Sequence, residues 1–562
     1  MRLALTRSKR LSEGSELILA VEGVETQRTR QRNTPCPLCL CVFLSARHLA
    51  PAFGILERSA LELRAYSRGG GLKHRGTEFT EDATLEYSVF SVPLCFSIHT
   101  SFGTHFRYFI HACQSSLLET FFLRRENEPG ETGKVATTLQ KNQTGIKPMK
   151  TIITLLLLSF CSFTQAQDWP QWRGPEANSV AQEGDYPTEF SATENVLWKI
   201  ALPGKGSSTP AVWGEKIFVT SGDDGKDGVQ CYDFDGQLVW KKTLGAERPG
   251  KHKNGSGSNP SPIVNGENVF VYYKSGTVAS FSFEGELNWQ INLQDEYGKD
   301  SLWWDLGTSP IFSGEQIVIA VMQESDSYVL ALNQNDGSVA WKVDRNFQLQ
   351  KETGQAYTTP LLTEIDGEET LVIWGADHLT GHDPSNGERR WTCKGFNPDD
   401  QPMWRVIASP AFTNGIAVIP YGRTKFLAGV KMGGEGNVTE TARLWRRKGL
   451  GADCPTPVGR DGKVILLSDR GQLNYLDATT GEDITTAVLP RSRAKFYASP
   501  ILAGDLLFCA REDGIVMSIK VSDEGLKLLA ENNMKERIAA SPVPVRDKLL
   551  IRGERHLFCI GN

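Results

Sequence analysis

No tryptophan occurs in the first 168 residues of this 562-residue chain, although it holds 13, from Trp169 to Trp445. Trp is a large core former, so the two parts of the chain are built differently and whole-chain averages describe neither. HExxH, GxSxG and P-loop motifs are missing, as is the kinase set of lysine, catalytic loop and Asp-Phe-Gly. Their absence removes the zinc protease, α/β-hydrolase, nucleotide-hydrolase and kinase readings. Cysteine is sparse after residue 168, and Cys231, Cys393, Cys454, Cys509 and Cys559 are too few to pair completely and include no neighbours. Histidine is sparse too, and His252, His378, His382 and His556 show no metal-ligand spacing.

A seam lies at Met149. Met149-Lys150 is followed by a short apolar run, with Thr164 and Ala166 placed for cleavage after Ala166. That layout is a secretory signal peptide over 149–167, and the run is shorter than the roughly 20 residues of a membrane span. The alternative for it is a buried strand or core helix. Such a signal works at an N-terminus. Residues 1–148 are therefore read as an upstream extension that is not a native folded domain. Cys36, Cys39 and Cys41 cluster there, and the Cys36-Pro37-Leu38-Cys39 piece could be half a zinc site, without a convincing second pair downstream. The extension is basic, and the part after Lys150 carries net charge of about −11 by count of Asp, Glu, Lys and Arg. An acidic exported body disfavours nucleic acid and anionic lipid as partners. The expected location is periplasmic or extracellular, with no integral membrane part.

A Ser/Thr-Pro step punctuates the rest, at Pro210, Pro262, Pro310, Pro360, Pro410, Pro457, Pro500 and Pro542. After each step come β-branched and aromatic runs separated by Gly-bearing turns. Gly236, Gly285, Gly337 and Gly387 each precede a Trp by four residues: Trp240, Trp289, Trp341 and Trp391. Four short strands per unit of about 40–50 residues is the period of a propeller blade. The final unit, from Ser541, offers only three strands, and the missing Trp-bearing strand is Val196–Ile200. The fold expected is all-β: an eight-bladed β-propeller of four-stranded blades over 193–562, closed by the Trp198 strand, with an N-terminal arm at 168–192. The Trp series is expected to pack between sheets, with Trp445 reached after an enlarged turn from Lys431 to Arg443. The sixth and seventh units lack the Trp and are expected to pack less tightly. Cys231 and Cys559 fall at equivalent third-strand positions, as buried thiols.

The segments before each Ser/Thr-Pro enter the innermost strands and crowd one mouth of the channel. They bring Lys251, His252, Lys253, Trp304, Asp305, Arg405, Asp453, Lys495, Glu536 and Arg537 there. Asp305 or Asp453 could act as general base or bind a hard cation. Lys253, Arg405, Lys495 and Arg537 could clamp carboxylates, and Trp304 could stack on a flat ring. The competing reading is a solvated rim of self-compensating charges.

Asn333 to Trp341, Asp383 to Trp391 and Asp477 to Gly481, with the opening Asp168 to Pro175, resemble the pyrroloquinoline-quinone-like (PQQ-like) β-propeller family. The resemblance covers residues 168–562. It implies either a non-enzymatic binding scaffold, similar to the outer-membrane β-barrel assembly lipoprotein, or a quinoprotein dehydrogenase of alcohols or sugars. The dehydrogenases typically carry a vicinal Cys-Cys disulfide, calcium and often a CxxCH haem motif. This chain has neither cysteine motif after residue 168. The expectation is therefore a binding module with protein partners in the cell envelope and no required cofactor. The alternative is a PQQ- and calcium-dependent dehydrogenase using Asp305 and Asp453. A polysaccharide-binding ring rests only on aromatics that could be exposed.

Overall fold

The computed structural model describes residues 168–349 and 351–562. Upstream it describes only the strands Arg2–Thr6, Ile18–Glu22, Cys41–Phe43, Arg64–Tyr66, Cys95–His99 and His105–Phe109, paired in sequence order as three hairpins. Contacts divide the chain into Met1–Ile152 and Ile153–Asn562. The signal-peptide reading of 149–167, and otherwise the reading of 1–148 as an extension, lie outside the described residues.

The second unit is an eight-bladed β-propeller. Blade 1 is formed by Ala211–Trp213, Lys216–Asp223, Lys226–Asp233 and Leu238–Ala246, joined antiparallel in chain order. Blades 2 to 7 repeat the plan, with innermost strands Ile263–Val264, Ile311–Ser313, Leu361–Ile365, Ala411–Thr413, Val458–Arg460 and Ile501–Ala503. Blade 8 holds Val543–Val545, Lys548–Arg552 and His556–Ile560, and its outer strand is Val196–Ala201, paired so that Cys559 faces Trp198. Joining the two ends of the sequence in one blade removes the open edge that an all-β ring must avoid.

The Ser/Thr-Pro step has a structural cause. In blades 2 to 7 the hydroxyl accepts the backbone N–H of the corresponding step in the preceding blade. The series runs Thr209 to Ser261, Ser261 to Ser309, Ser309 to Thr359, Thr359 to Ser409, Ser409 to Thr456 and Thr456 to Ser499, at 2.9–3.2 Å. Proline, which has no N–H, follows where the chain would otherwise need one more partner. The repeat is thus a hydrogen-bonded series around the axis from blade 1 to blade 7. Ser309→Ala should leave the buried Ser261 amide without a partner and lower stability by about 1–3 kcal/mol, read as a shift in the urea midpoint.

The Trp-Gly spacing is a second, outer series of contacts between blades. The indole N–H of Trp198, Trp240, Trp289, Trp341 and Trp445 donates to a carbonyl in the next blade, at Phe234, Phe283, Gln334, Pro384 and Ala478, over 2.7–3.0 Å. The ring lies over the next blade's turn glycine. At Gly236, Gly285, Gly337, Gly387 and Gly481, φ is +71° to +86°, and a Cβ would stand 2.5–2.8 Å from the indole. Only glycine meets both demands. Register puts Thr485 and Ala530 at the Trp position of blades 6 and 7. The enlarged turn of blade 5 contributes Gly436–Asn437, which pairs parallel with Trp391–Thr392 as a fifth strand of blade 4. Cys231 and Cys559 are fully buried, both opposite a Trp.

The arm crosses the channel. Trp169 exchanges both main-chain bonds with Val212 in blade 1, and Pro170 accepts from Val264 in blade 2. Arg173, 3% exposed, donates to Pro410 and Pro457 carbonyls at 3.0 Å in blades 5 and 6. Val180–Ala181 then pairs parallel with Leu502–Ala503 of blade 7.

Candidate functional site

Strand direction assigns the two mouths. The first strand of each blade leaves the Ser/Thr-Pro mouth and the second returns to it. That mouth is therefore lined by the connections between blades and by the turns between second and third strands. The arm bonds the far end of the first strand of blade 1, with Asp168 accepting from Gly214 at 3.0 Å, and reaches inward through Arg173 to the Pro410 and Pro457 carbonyls of the Ser/Thr-Pro steps.

At the Ser/Thr-Pro mouth the expected residues fall into two groups. In the first, the Arg405 guanidinium lies 4.9 Å over the Trp304 ring and bonds Asp453 at 2.7 Å. The Trp304 indole N–H donates to Glu352 at 2.7 Å, and His252 meets the ring edge-on at 5.5 Å. Glu352, 1% exposed, also takes an ion pair from Arg405 at 3.7 Å and one from Arg423.

In the second group, Glu512 accepts the Lys495 amide at 3.1 Å and Arg537 at 3.2 Å, with the Lys253 ammonium at 3.6 Å. Burial would raise its carboxyl, but the Lys495 amide, Lys253, Asn254 and Arg537 outweigh it and hold the pKa below the usual value. Arg537 also donates to the Lys253 carbonyl at 3.1 Å. Glu536 belongs to blade 8 instead, accepting His556 Nδ1 at 2.7 Å.

Asp305 is the clasp of the loop between blades 1 and 2. It accepts the Lys251 and His252 amides at 2.7 and 3.0 Å and forms a buried ion pair with Lys274. Burial alone would raise its pKa; Lys274 and the two amides reverse that and hold it low. A carboxylate held ionised by three donors has little capacity to accept a further proton.

Asp453, Cys454 and Asp469 bring ligand atoms within 4.8 Å of one another. Asp453 is engaged by Arg405, one Asp469 oxygen accepts the Asp453 amide at 2.7 Å, and burial raises both Asp469 and, strongly, the Cys454 thiol. Calcium asks for six to eight oxygen ligands, which a protonated thiol and two committed carboxylates do not supply. A flat quinone on Trp304 would have to displace Arg405 from the ring. These residues do not fit a quinone–calcium pair as they stand.

The sequence reading missed Lys274, Arg423, Asp469 and Glu512, all in turns between second and third strands, and Glu352 in the 3₁₀ turn Lys351–Gly354. It also missed two exposed apolar side chains beside this cluster, Trp303 at 42% and Met403 at 41%. The Met403 carbonyl accepts from Arg423 at 2.7 Å, and Trp303 Nε1 donates to Glu324 at 3.3 Å.

A family model described as outer membrane protein assembly factor BamB matches residues 180–320 and 225–401, from the arm through blade 4. No curated protein matches the chain. Among solved structures, BamB from Moraxella catarrhalis is 16% identical, with 65% of this chain and 99% of that one covered and a TM-score of 0.48. A quinohemoprotein alcohol dehydrogenase from Comamonas testosteroni is 12% identical over 70% of this chain and 81% of its own, at 0.51. A europium-containing methanol dehydrogenase is 9% identical over 70% and 98%, at 0.54. At these identities the structural likeness concerns the fold.

Proposed function

On the premise that this chain is a propeller resembling the PQQ-repeat proteins, as its repeats and the family match show, we propose that it is an exported, non-enzymatic binding module of the cell envelope. Its Ser/Thr-Pro mouth is the docking face for a protein partner. The observation that carries this reading is the pairing of exposed Trp303 and Met403 with a rim whose charged groups are already committed to one another. Single exposed apolar residues are ordinary on a surface. Here the two adjoin Arg405 and Arg423, and Trp, Met and Arg are the residue types enriched where protein interfaces concentrate their energy. The match to the model of an outer-membrane assembly factor supports a protein partner in the envelope.

The test is chemical cross-linking in native envelopes, followed by purification of the protein. Trp303→Ala/Met403→Ala should reduce a saturable cross-link at least tenfold without changing the melting temperature, and Arg537→Ala should weaken it less. Titration with pyrroloquinoline quinone and calcium separates this from the dehydrogenase reading. Saturable binding with dye reduction on alcohols or aldoses would overturn the proposal.

A further inference from the structure

A groove of about 540 Å³ lies away from both mouths, along the outer strand of blade 4, Arg389–Lys394. Its other walls are Asn346 and Phe347, which follow blade 3, and the added strand Gly436–Asn437. Its charge is one-sided. The Arg389 guanidinium and the Lys394 ammonium have no hydrogen-bond or ion-pair partner among the described residues, and no Asp or Glu lines the groove. Arg390 differs, being neutralised by Asp383 at 2.8 Å and Glu368 at 3.5 Å.

A third uncompensated cation lies beneath. Arg345, 2% exposed, is bonded only to neutral acceptors among the described residues: the carbonyls of Ile373, Gly375 and His378, the Thr380 hydroxyl and the Met322 sulfur. The floor is Phe347 stacked flat on His378, with centroids 3.7 Å apart and planes 3° apart. Arg345 and Arg389 stand 5.0 and 5.6 Å from the Phe347 centroid. His378 registers the field. Burial pushes its pKa down to about 4, and Arg345, Lys394 and Arg389 add to the shift against the opposing bond to the Ala376 carbonyl. The imidazole therefore stays neutral near pH 7, and the positive character comes from groups that do not titrate there.

Two features select the ligand. Arg389 and Lys394 pair with His382 and His378, four ladder positions apart across one bulge, which at about 3.3 Å per position separates their backbones by roughly 13 Å along the strand. An extended chain with acids at both ends matches that spacing. The edge also already accepts main-chain pairing, since Gly436–Asn437 adds to Trp391–Thr392 and Val438 donates to the Thr392 carbonyl at 2.9 Å. Gly436 and Asn437 are exposed and form the outermost strand of this sheet. We infer that this groove binds an extended acidic peptide segment of a protein partner, its carboxylates taken by Arg389 and Lys394.

Fluorescence anisotropy on the full-length protein tests this with two labelled ten-residue peptides of equal composition. One carries its glutamates in two groups four residues apart, and the other carries them contiguously. The spaced peptide should bind several-fold more tightly. Arg389→Glu/Lys394→Glu should weaken it at least tenfold with an unchanged melting curve, while Lys527→Glu on the outer strand of blade 7 should not. Equal binding of both peptides, or indifference to the double charge reversal, would overturn the inference. So would an oligogalacturonate that binds the same groove ten times more tightly than the spaced peptide, which would assign the site to an acidic sugar.

Discussion

Lys274→Ala is expected to destabilise the propeller by about 3–5 kcal/mol, the usual cost of breaking a buried ion pair from one side. The Lys274 and Asp305 side chains are 2% and 4% exposed, so neither charge has water to fall back on. The ammonium also donates to the Pro249 carbonyl at 2.7 Å. It therefore ties both the beginning of the mouth loop and the carboxylate that holds the Lys251 and His252 amides. Removing it leaves Asp305 buried with two amides and no counter-charge. Lys274→Met/Asp305→Asn should regain part of the loss, because the apolar stem is kept and the orphaned charge is gone. The pH dependence provides a second readout. Folding lowers the Asp305 pKa, so its contribution is fully present above the unfolded carboxylate value of about 3.9 and is lost as pH falls through the lower folded value. The gap between wild type and Lys274→Ala, measured from urea midpoints, should close as the pH drops from 7 to 3. A gap that stays constant would mean that the pair is not the source of the stability.

The repeat made the ring legible because each blade must solve the same two problems, one at the axis and one at the rim. A hydroxyl and a proline at the axis, and an indole above a glycine at the rim, are local signatures of contacts between blades. They recur at the blade period even though each contact joins residues 33 to 52 positions apart. The closing strand was legible for the same reason, since Trp198 finds its carbonyl at Phe234 as the other tryptophans find theirs. The mouth was half legible. Strand direction brings the connections before Ser/Thr-Pro to one mouth, and with them Lys253, Trp304, Arg405, Asp453, Lys495 and Arg537. Their pairing was not readable, because Lys274, Arg423, Asp469 and Glu512 come from turns in the middle of a blade, where no motif marks them. Following strand direction through one blade brings those turns to the same end, so the missing signal was topological. The blade 4 groove was hidden differently. It depends on an insertion in blade 5 folding back onto the preceding sheet, and nothing in the pattern of Lys431 to Arg443 specifies that edge.

Asp227→Asn is expected to make the protein more stable at pH 8 while changing it little near pH 4, the reverse of what deleting a charge usually does. Asp227 begins the third strand of blade 1 at the Ser/Thr-Pro mouth and is fully buried. One oxygen accepts the Ser275 hydroxyl at 2.5 Å, and the other has no partner. Burial pushes the pKa up to about 7; the Ser275 bond opposes this and the nearby Glu247 carboxylate adds to it. The folded value lies above the unfolded value of about 3.9, so between those limits the folded state holds the extra proton and stability falls as pH rises. Three units at about 1.36 kcal/mol each give a penalty of roughly 4 kcal/mol, complete a little above pH 7. An asparagine can keep its oxygen toward Ser275 and carries no charge to desolvate, so the penalty disappears with the ionisation. The quantity to follow is the difference in unfolding free energy between variant and wild type at pH 4, 6 and 8, because other titrating groups cancel in it. It should grow with pH and level off above 7. A difference that does not change with pH would show that Asp227 ionises normally in the folded protein. In that case water must reach the unpartnered oxygen, and the junction between blades 1 and 2 beneath the mouth loop is open rather than sealed.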